Sequence, residues 1–197
     1  MAEIIHRGSY TLTEWRNARQ IEELPSSRQQ THQDRVRWQR PPNSFVKYNV
    51  DASFSEHYNR VGIGMCLRDE FGMFIGAKTI WLQPIMSVDI GEALRLQAAM
   101  EWVRELEFKK VICCLDSKGV VDSLNSQVRD DTKLGSILAR CRVNLSGFCN
   151  NSYVEFSTRE ANMVAHELAK VAIYNASSHL YFDILDCIDP LIFNEMN

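Results

Sequence analysis

Between Val46 and Ile80 the chain alternates apolar and polar positions in successive stretches. Val46, Tyr48 and Val50 alternate with Lys47, Asn49 and Asp51, the period of two that a strand with one buried face requires. Val61, Ile63, Met65 and Leu67 repeat it, with Gly62 and Gly64 on the opposite face. A turn at Asp69-Glu70-Phe71-Gly72 separates this stretch from a third strand over Met73 to Ile80, and the three predict an antiparallel meander. The period then changes. Ile90, Leu94, Ala98, Trp102 and Leu106 recur at four-residue spacing, which predicts a helix over 90–106. Val111 to Leu115 is continuously apolar, as in a strand covered on both faces. Ser117 is placed to cap a helix that turns Val120, Val121 and Leu124 inward. Helices over 132–145 and 161–174 bracket a short strand over 152–157. The order predicts an α/β fold: one five-stranded mixed sheet flanked by helices. The strands at Val46 and Val111 are expected to be parallel neighbours.

The flanks break the pattern. Tyr10 to Arg19 reads as a short helix capped by Thr13, and Ser26 to Arg40 is rich in Gln, Arg and Ser and runs into Pro41-Pro42. Residues 1–42 therefore read as a mobile leader, 43–176 as the folded domain and 177–197 as a tail. The apolar Leu180, Tyr181, Phe182, Ile184, Leu185, Leu191 and Ile192 suggest that this tail docks on the domain surface or on a partner. A net charge of −3 gives no global basic signature, so a nucleic-acid partner would be held by a local patch. The 6 cysteines, Cys66, Cys113, Cys114, Cys141, Cys149 and Cys187, form no Cys-x-x-Cys pairs with matching histidines, which argues against zinc. Several lie in apolar segments, as buried, reduced thiols of an intracellular protein would. The first residues lack an apolar signal core and no apolar run is long enough to span a bilayer. The expectation is a cytoplasmic or nuclear protein with no membrane partner; the sequence leaves its oligomeric state open.

Three acids change the picture. Asp51 in Val-Asp-Ala, Glu92 in Gly-Glu-Ala-Leu and Asp116 in Leu-Asp-Ser each adjoin an apolar segment that reads as core. A carboxylate beside core is costly unless compensated, and a shared divalent metal is the simplest compensation because hard cations take oxygen ligands. Each also has a plainer reading: Asp51 as a strand-end surface residue, Glu92 as a first-turn acid favoured by the helix dipole, Asp116 as a loop acid. Asp116 ends the most apolar strand, where α/β folds build their sites. If the three meet without metal, at least one of their pKa values should rise.

Five pieces in order carry a resemblance: Trp-Gln-Arg-Pro-Pro-Asn-Ser-Phe-Val-Lys-Tyr-Asn-Val-Asp-Ala, Gly-Ile-Gly-Met-Cys-Leu-Arg-Asp-Glu-Phe-Gly, Gly-Glu-Ala-Leu-Arg-Leu, Leu-Asp-Ser-Lys-Gly-Val-Val-Asp and Arg-Glu-Ala-Asn-Met-Val-Ala-His-Glu-Leu-Ala-Lys. From about Trp38 to about Ala176 the chain resembles the ribonuclease H-like domain of plant non-LTR retroelements and their stand-alone relatives, within the type 1 ribonuclease H group. The resemblance implies a ribonuclease H-like fold. It implies an endonuclease that hydrolyses RNA in RNA–DNA hybrids, with Asp51, Glu92 and Asp116 as ligands of two metal ions, Mg²⁺ or Mn²⁺. The fourth acidic position of active relatives falls on His166, whose neutral nitrogen suits Mn²⁺ or Zn²⁺ better than Mg²⁺. Several active relatives place a mobile histidine in the loop that is here Phe156-Ser157-Thr158-Arg159. These departures support an alternative, a catalytically weak or inactive nucleic-acid-binding or interaction module of the same fold. Asn162, His166 and Lys170 share a helical stripe that either meets phosphate or faces water. Lys47, Arg68, Lys78, Arg95 and Lys118 flank the acids in sequence, as backbone contacts or as a solvated surface. Gly62 and Gly64 either admit a sugar–phosphate backbone or allow tight sheet packing.

Overall fold

In the computed structural model, which describes residues 37–126, 130–148 and 152–196, the three alternating stretches pair as the expected meander. They are β1 (Val46–Ser55), β2 (Arg60–Arg68) and β3 (Phe74–Leu82). Helix α1 (Val88–Glu105) leads to β4 (Val111–Leu115), which lies parallel to β1 with Val46 opposite Val111 and Val50 opposite Leu115. Helices α2 (Lys118–Asn125) and α3 (Lys133–Phe148) follow, then β5 (Tyr153–Phe156), parallel to β4. A 3₁₀ turn at Glu160–Asn162 enters α4 (Met163–Asn175). The chain closes with β6 (His179–Tyr181) and α5 (Asp189–Met196).

Among the described residues the sheet has six strands in the order β5-β4-β1-β2-β3-β6, one more than the sequence predicts. The extra strand is β6, which pairs antiparallel with β3 through Ala77–Tyr181 and Thr79–His179. Three residues are too few to show a period of two, so this strand exists only through its partner. The expected helix at Tyr10 to Arg19, its Thr13 cap and Cys149 lie outside the described residues.

Alternation sends the two faces of the sheet to separate cores. Val46, Tyr48, Val50, Ile63, Met65, Leu67 and Cys113 pack beneath α1, α2 and α3. On the other face Cys66 and Ala77 meet Val164 and Leu168 of α4, with Ile188 and Ile192 from the C-terminal segment. There α4 lies directly on β2. A Cβ on Gly62 would stand 2.1 Å from the carbonyl oxygen of Ala169, and one on Gly64 2.2 Å from that of Ala165. Gly62 and Gly64 are therefore packing residues. The sugar–phosphate contact considered for them is overturned, because helix backbone fills the space.

The buried face of α1 is wider than the expected stripe, whose Trp102 and Leu106 are buried and whose other three members pack at its edge. Ile90, Leu94 and Ala98 are half-buried, whereas Glu92, Arg95, Leu96, Ala99, Trp102 and Val103 face the sheet. Ser117 occupies the N-cap position of α2, yet its side chain makes no capping hydrogen bond. At the other end of the described chain, packing begins within the segment that reads as leader. Trp38 is buried; its Nε1 donates to Asn49 Oδ1 at 2.8 Å and its ring lies 3.7 Å from the Arg68 guanidinium.

Candidate active site

Three elements deliver the acids. Asp51 lies in β1 on the opposite face from Tyr48 and Val50, because successive side chains of a strand point to opposite sides. Asp116 follows β4, and the register Val50–Leu115 carries the two aspartates to the same end of adjacent parallel strands. Glu92 comes from the first part of α1. Sequence reasoning brought these residues together, and in the structure they do converge.

What they converge on is Arg95, three residues after Glu92 and so on the same face of α1. Its guanidinium is fully buried at 0% exposure. Nη1 donates to Asp51 Oδ1 at 2.7 Å, Nη2 approaches Asp116 Oδ1 at 2.8 Å, and Nη2 is also paired with Glu92 Oε2. The Nε of Arg95 finds no acceptor among the described residues. Asp116 forms the mouth of the cluster, its side chain 25% exposed against 4% for Asp51 and 11% for Glu92.

His166 joins from α4. Its Nδ1 lies 2.7 Å from Asp51 Oδ2, and its Nε2 lies 3.0 Å from Nη2 of Arg159. A guanidinium can only donate, so Nε2 accepts and Nδ1–H donates to Asp51; this pattern is that of the neutral imidazole. The remaining hydrogen bond to Asp51 Oδ1 comes from the Ala52 amide at 2.8 Å. Both oxygens of Asp51 are thus held from several directions.

Burial dominates the protonation of the cluster. It pushes Asp51 upward, assisted by the negative charge of Asp116 and opposed by Arg95, His166 and the Ala52 amide. Burial likewise pushes Glu92 up to about 7, with Arg95 opposing and Asp116 and Asp51 adding to the rise. The expected upward shift is present, and its leading cause is loss of water, with repulsion between the acids a smaller contribution.

The remaining sequence candidates divide. Asn162 is buried: it accepts from Asn49 Nδ2 at 2.9 Å and donates to the Val50 carbonyl at 3.0 Å, tying α4 to β1. A phosphate contact by Asn162 is therefore overturned, since its amide is consumed inside the protein. Lys47 pairs with Glu155, Arg68 with Glu195 and Lys78 with Glu105, so those flanking cations already serve the fold. Lys170 pairs with Glu167 on its own helix. Lys118 is exposed in the first turn of α2, two residues beyond Asp116. Arg95 and Arg159 are the residues whose site positions sequence reasoning missed. For Arg95 the signal was available: the stripe Glu92, Arg95/Leu96, Ala99, Trp102/Val103 has helical spacing as good as the stripe chosen. For Arg159, in an irregular connection, no periodic signal existed.

Among the described residues, no group of three His, Cys, Asp or Glu side chains stands ready for a metal ion. The arrangement explains why, since Arg95 lies between the carboxylates. The donor chemistry nevertheless fits a hard divalent cation, with three carboxylates from three elements facing one positive charge. Arg95 is the stand-in cation of this set.

The sequence profile of the reverse transcriptase-like family matches residues 49–172, more than half of the chain and all four of Asp51, Glu92, Asp116 and His166. No curated protein sequence matches. The fold is similar to that of ribonuclease H1 from the halophilic archaeon Halobacterium salinarum NRC-1, with TM-score 0.60 and 21% identity over 66% of this chain and 98% of that one. It is also similar to LC11-RNase H1 crystallised with an RNA/DNA hybrid, with TM-score 0.59 and 20% identity over 66% of this chain and 98% of that one. A third similar structure is the N-terminal ribonuclease H domain of a Mycobacterium tuberculosis protein, with TM-score 0.57 and 18% identity over 67% and 95% of the two chains. At these identities the likeness establishes the ribonuclease H fold.

Proposed function

The chain belongs to the reverse transcriptase-like family, and on that footing we propose that it binds RNA–DNA hybrids and hydrolyses their RNA strand as an endonuclease. The observation that carries this reading is the convergence of Asp51, Glu92 and Asp116 on one buried cation. Nothing in the packing of the fold requires three carboxylates at one point, and gathering them is costly. Mg²⁺ or Mn²⁺ ions held by these three residues would activate water and stabilise the leaving oxygen of a phosphodiester. Asp51, fixed from both oxygens, orients the set. His166 holds Asp51 Oδ2 and is itself held by Arg159. Lys118, exposed two residues beyond Asp116, would meet a backbone phosphate in this reading.

Initial cleavage rates on an RNA–DNA duplex, with Mg²⁺ and with Mn²⁺, test the proposal. The wild-type chain should cleave, and Asp51→Asn should abolish cleavage with either ion. Binding of hybrid without cleavage under both ions would favour a second reading, a hybrid-binding module without turnover. Arg95 is the specific observation behind that alternative.

A further inference from the structure

The position of Arg95 has a consequence that rests on the nuclease reading and deepens it. A guanidinium buried among three carboxylates meets the electrostatic need that a metal ion would meet. The two cannot share the space: Nη1 and Nη2 engage the same carboxylate groups a divalent cation would need. The fit of the guanidinium is also incomplete. A planar fork matches one carboxylate well, not three on different sides. Its Nε is left without an acceptor although the side chain is 0% exposed. A spherical ion has no such directional constraint. The cluster is therefore built in a shape that a metal satisfies better, and is closed by a residue from its own helix.

We propose that Arg95 is a tethered competitor for the divalent cation, so that the free protein holds its carboxylate cluster closed to metal and metal binds only as the guanidinium leaves. The route out is past Asp116, the most exposed of the three acids. The device makes the site's metal occupancy depend on one side chain rather than on the carboxylates alone.

Mn²⁺ binding by the free full-length chain, read by electron paramagnetic resonance without nucleic acid, tests this directly. Arg95→Gln should bind Mn²⁺ about tenfold more tightly than wild type, or better, once the competing charge is gone. Adding Asp51→Asn to Arg95→Gln should remove that gain, which locates the ion in the cluster. Arg95→Lys retains a positive charge and guards against loss of folding in Arg95→Gln. Its ammonium is a point charge that cannot span three carboxylates, so it too should bind Mn²⁺ more tightly than wild type. If Arg95→Gln folds only when Mn²⁺ is added, seen by circular dichroism, that result supports the same conclusion. Equal Mn²⁺ affinity in wild type and in every folded Arg95 variant overturns the proposal, as does a gain that survives Asp51→Asn. Hybrid cleavage run in parallel separates the two readings. Tight Mn²⁺ binding and cleavage by wild type sinks the competitor and leaves the nuclease. Tight binding by the Arg95 variants without cleavage by any protein leaves the competitor and sinks the nuclease.

Discussion

Glu92 is one side chain through which solution pH reaches the cluster. Its carboxyl is pushed up to about 7 from an ordinary value of 4.5, chiefly by burial. Between those values the folded state binds more protons than the unfolded chain. Stability from this group is therefore full below the lower value, falls as pH rises through the higher one, and levels off above it. Without metal, the thermal midpoint should be higher near about pH 5 than near about pH 8 as far as this group is concerned, and Glu92→Gln should reduce that difference. Asp51, also raised, leaves part of the slope in place. A slope unchanged by Glu92→Gln would show that the carboxyl is not perturbed as its burial implies. At His166 the expectation concerns the ion. An imidazole nitrogen freed from Asp51 or Arg159 to meet the ion would favour Mn²⁺ over Mg²⁺, so His166→Asp should raise Mg²⁺-supported cleavage relative to wild type. The same rate measurement with both ions checks it; no gain with Mg²⁺ counts against His166 as a ligand position. At this scale the acids were legible because each carboxylate stands against an apolar run. Arg95 was legible only through its stripe with Leu96, Ala99 and Val103, since an arginine taken alone in a helix is assigned to solvent.

Elements were legible wherever a period could express itself. β1, β2 and β4 follow from alternation or continuous apolarity, and their pairing follows from the order of strands and helices. The buried face of α1 was read only in part, because the expected stripe packs on the core while Glu92, Arg95, Leu96, Ala99 and Val103 beside it are more deeply buried. The close approach of α4 to β2 was half visible, as two glycines on one strand face whose role stayed open until the helix was seen above them. That approach carries its own prediction. A Cβ at position 64 would meet the Ala165 carbonyl oxygen at 2.2 Å and the Ala169 amide nitrogen at 2.3 Å, both backbone atoms that cannot rotate away. Gly64→Ala must therefore lift α4 from the sheet, an overpacking cost of about 3 kcal/mol. For a chain of this size the thermal midpoint should fall by roughly 6–12 °C. Because Gly64 is paired in register with Asp51, and His166 lies on the displaced helix, cleavage should fall as well. A midpoint within about 2 °C of wild type would mean that the helix is less tightly seated than these contacts require.

At the scale of the whole molecule the two faces of the sheet are completed differently. One face is covered by α1, α2 and α3, all within the matched family region. The other is covered by α4 and by a C-terminal segment beyond that region, whose Ile188 and Ile192 are buried with Cys66, Ala77, Val164 and Leu168. The same segment supplies β6 along the edge of β3 and places Glu195 at 2.6 Å from the buried Arg68 guanidinium, on which Trp38 also stacks. The sequence showed that this stretch is apolar but not where it docks, since its strand pairs with Ala77–Thr79, a hundred or more positions earlier. Removing residues 177–197 should therefore cost far more than removing residues 1–36. Truncation at Ala176 uncovers apolar side chains, frees the N–H and C=O groups of a sheet edge, and leaves Arg68 buried without its carboxylate. Loss of a buried ion-pair partner alone costs about 3–5 kcal/mol. The truncated chain should melt at least about 10 °C lower or aggregate, whereas a chain beginning at Arg37 should keep its midpoint within about 2 °C. Circular dichroism melts of the two truncations decide the matter, with Glu195→Gln as an intermediate case that keeps the apolar contacts and removes the charge. A C-terminal truncation as stable as the full chain would show that the packed body ends at α4, and that the sixth strand and last helix are additions the fold does not need.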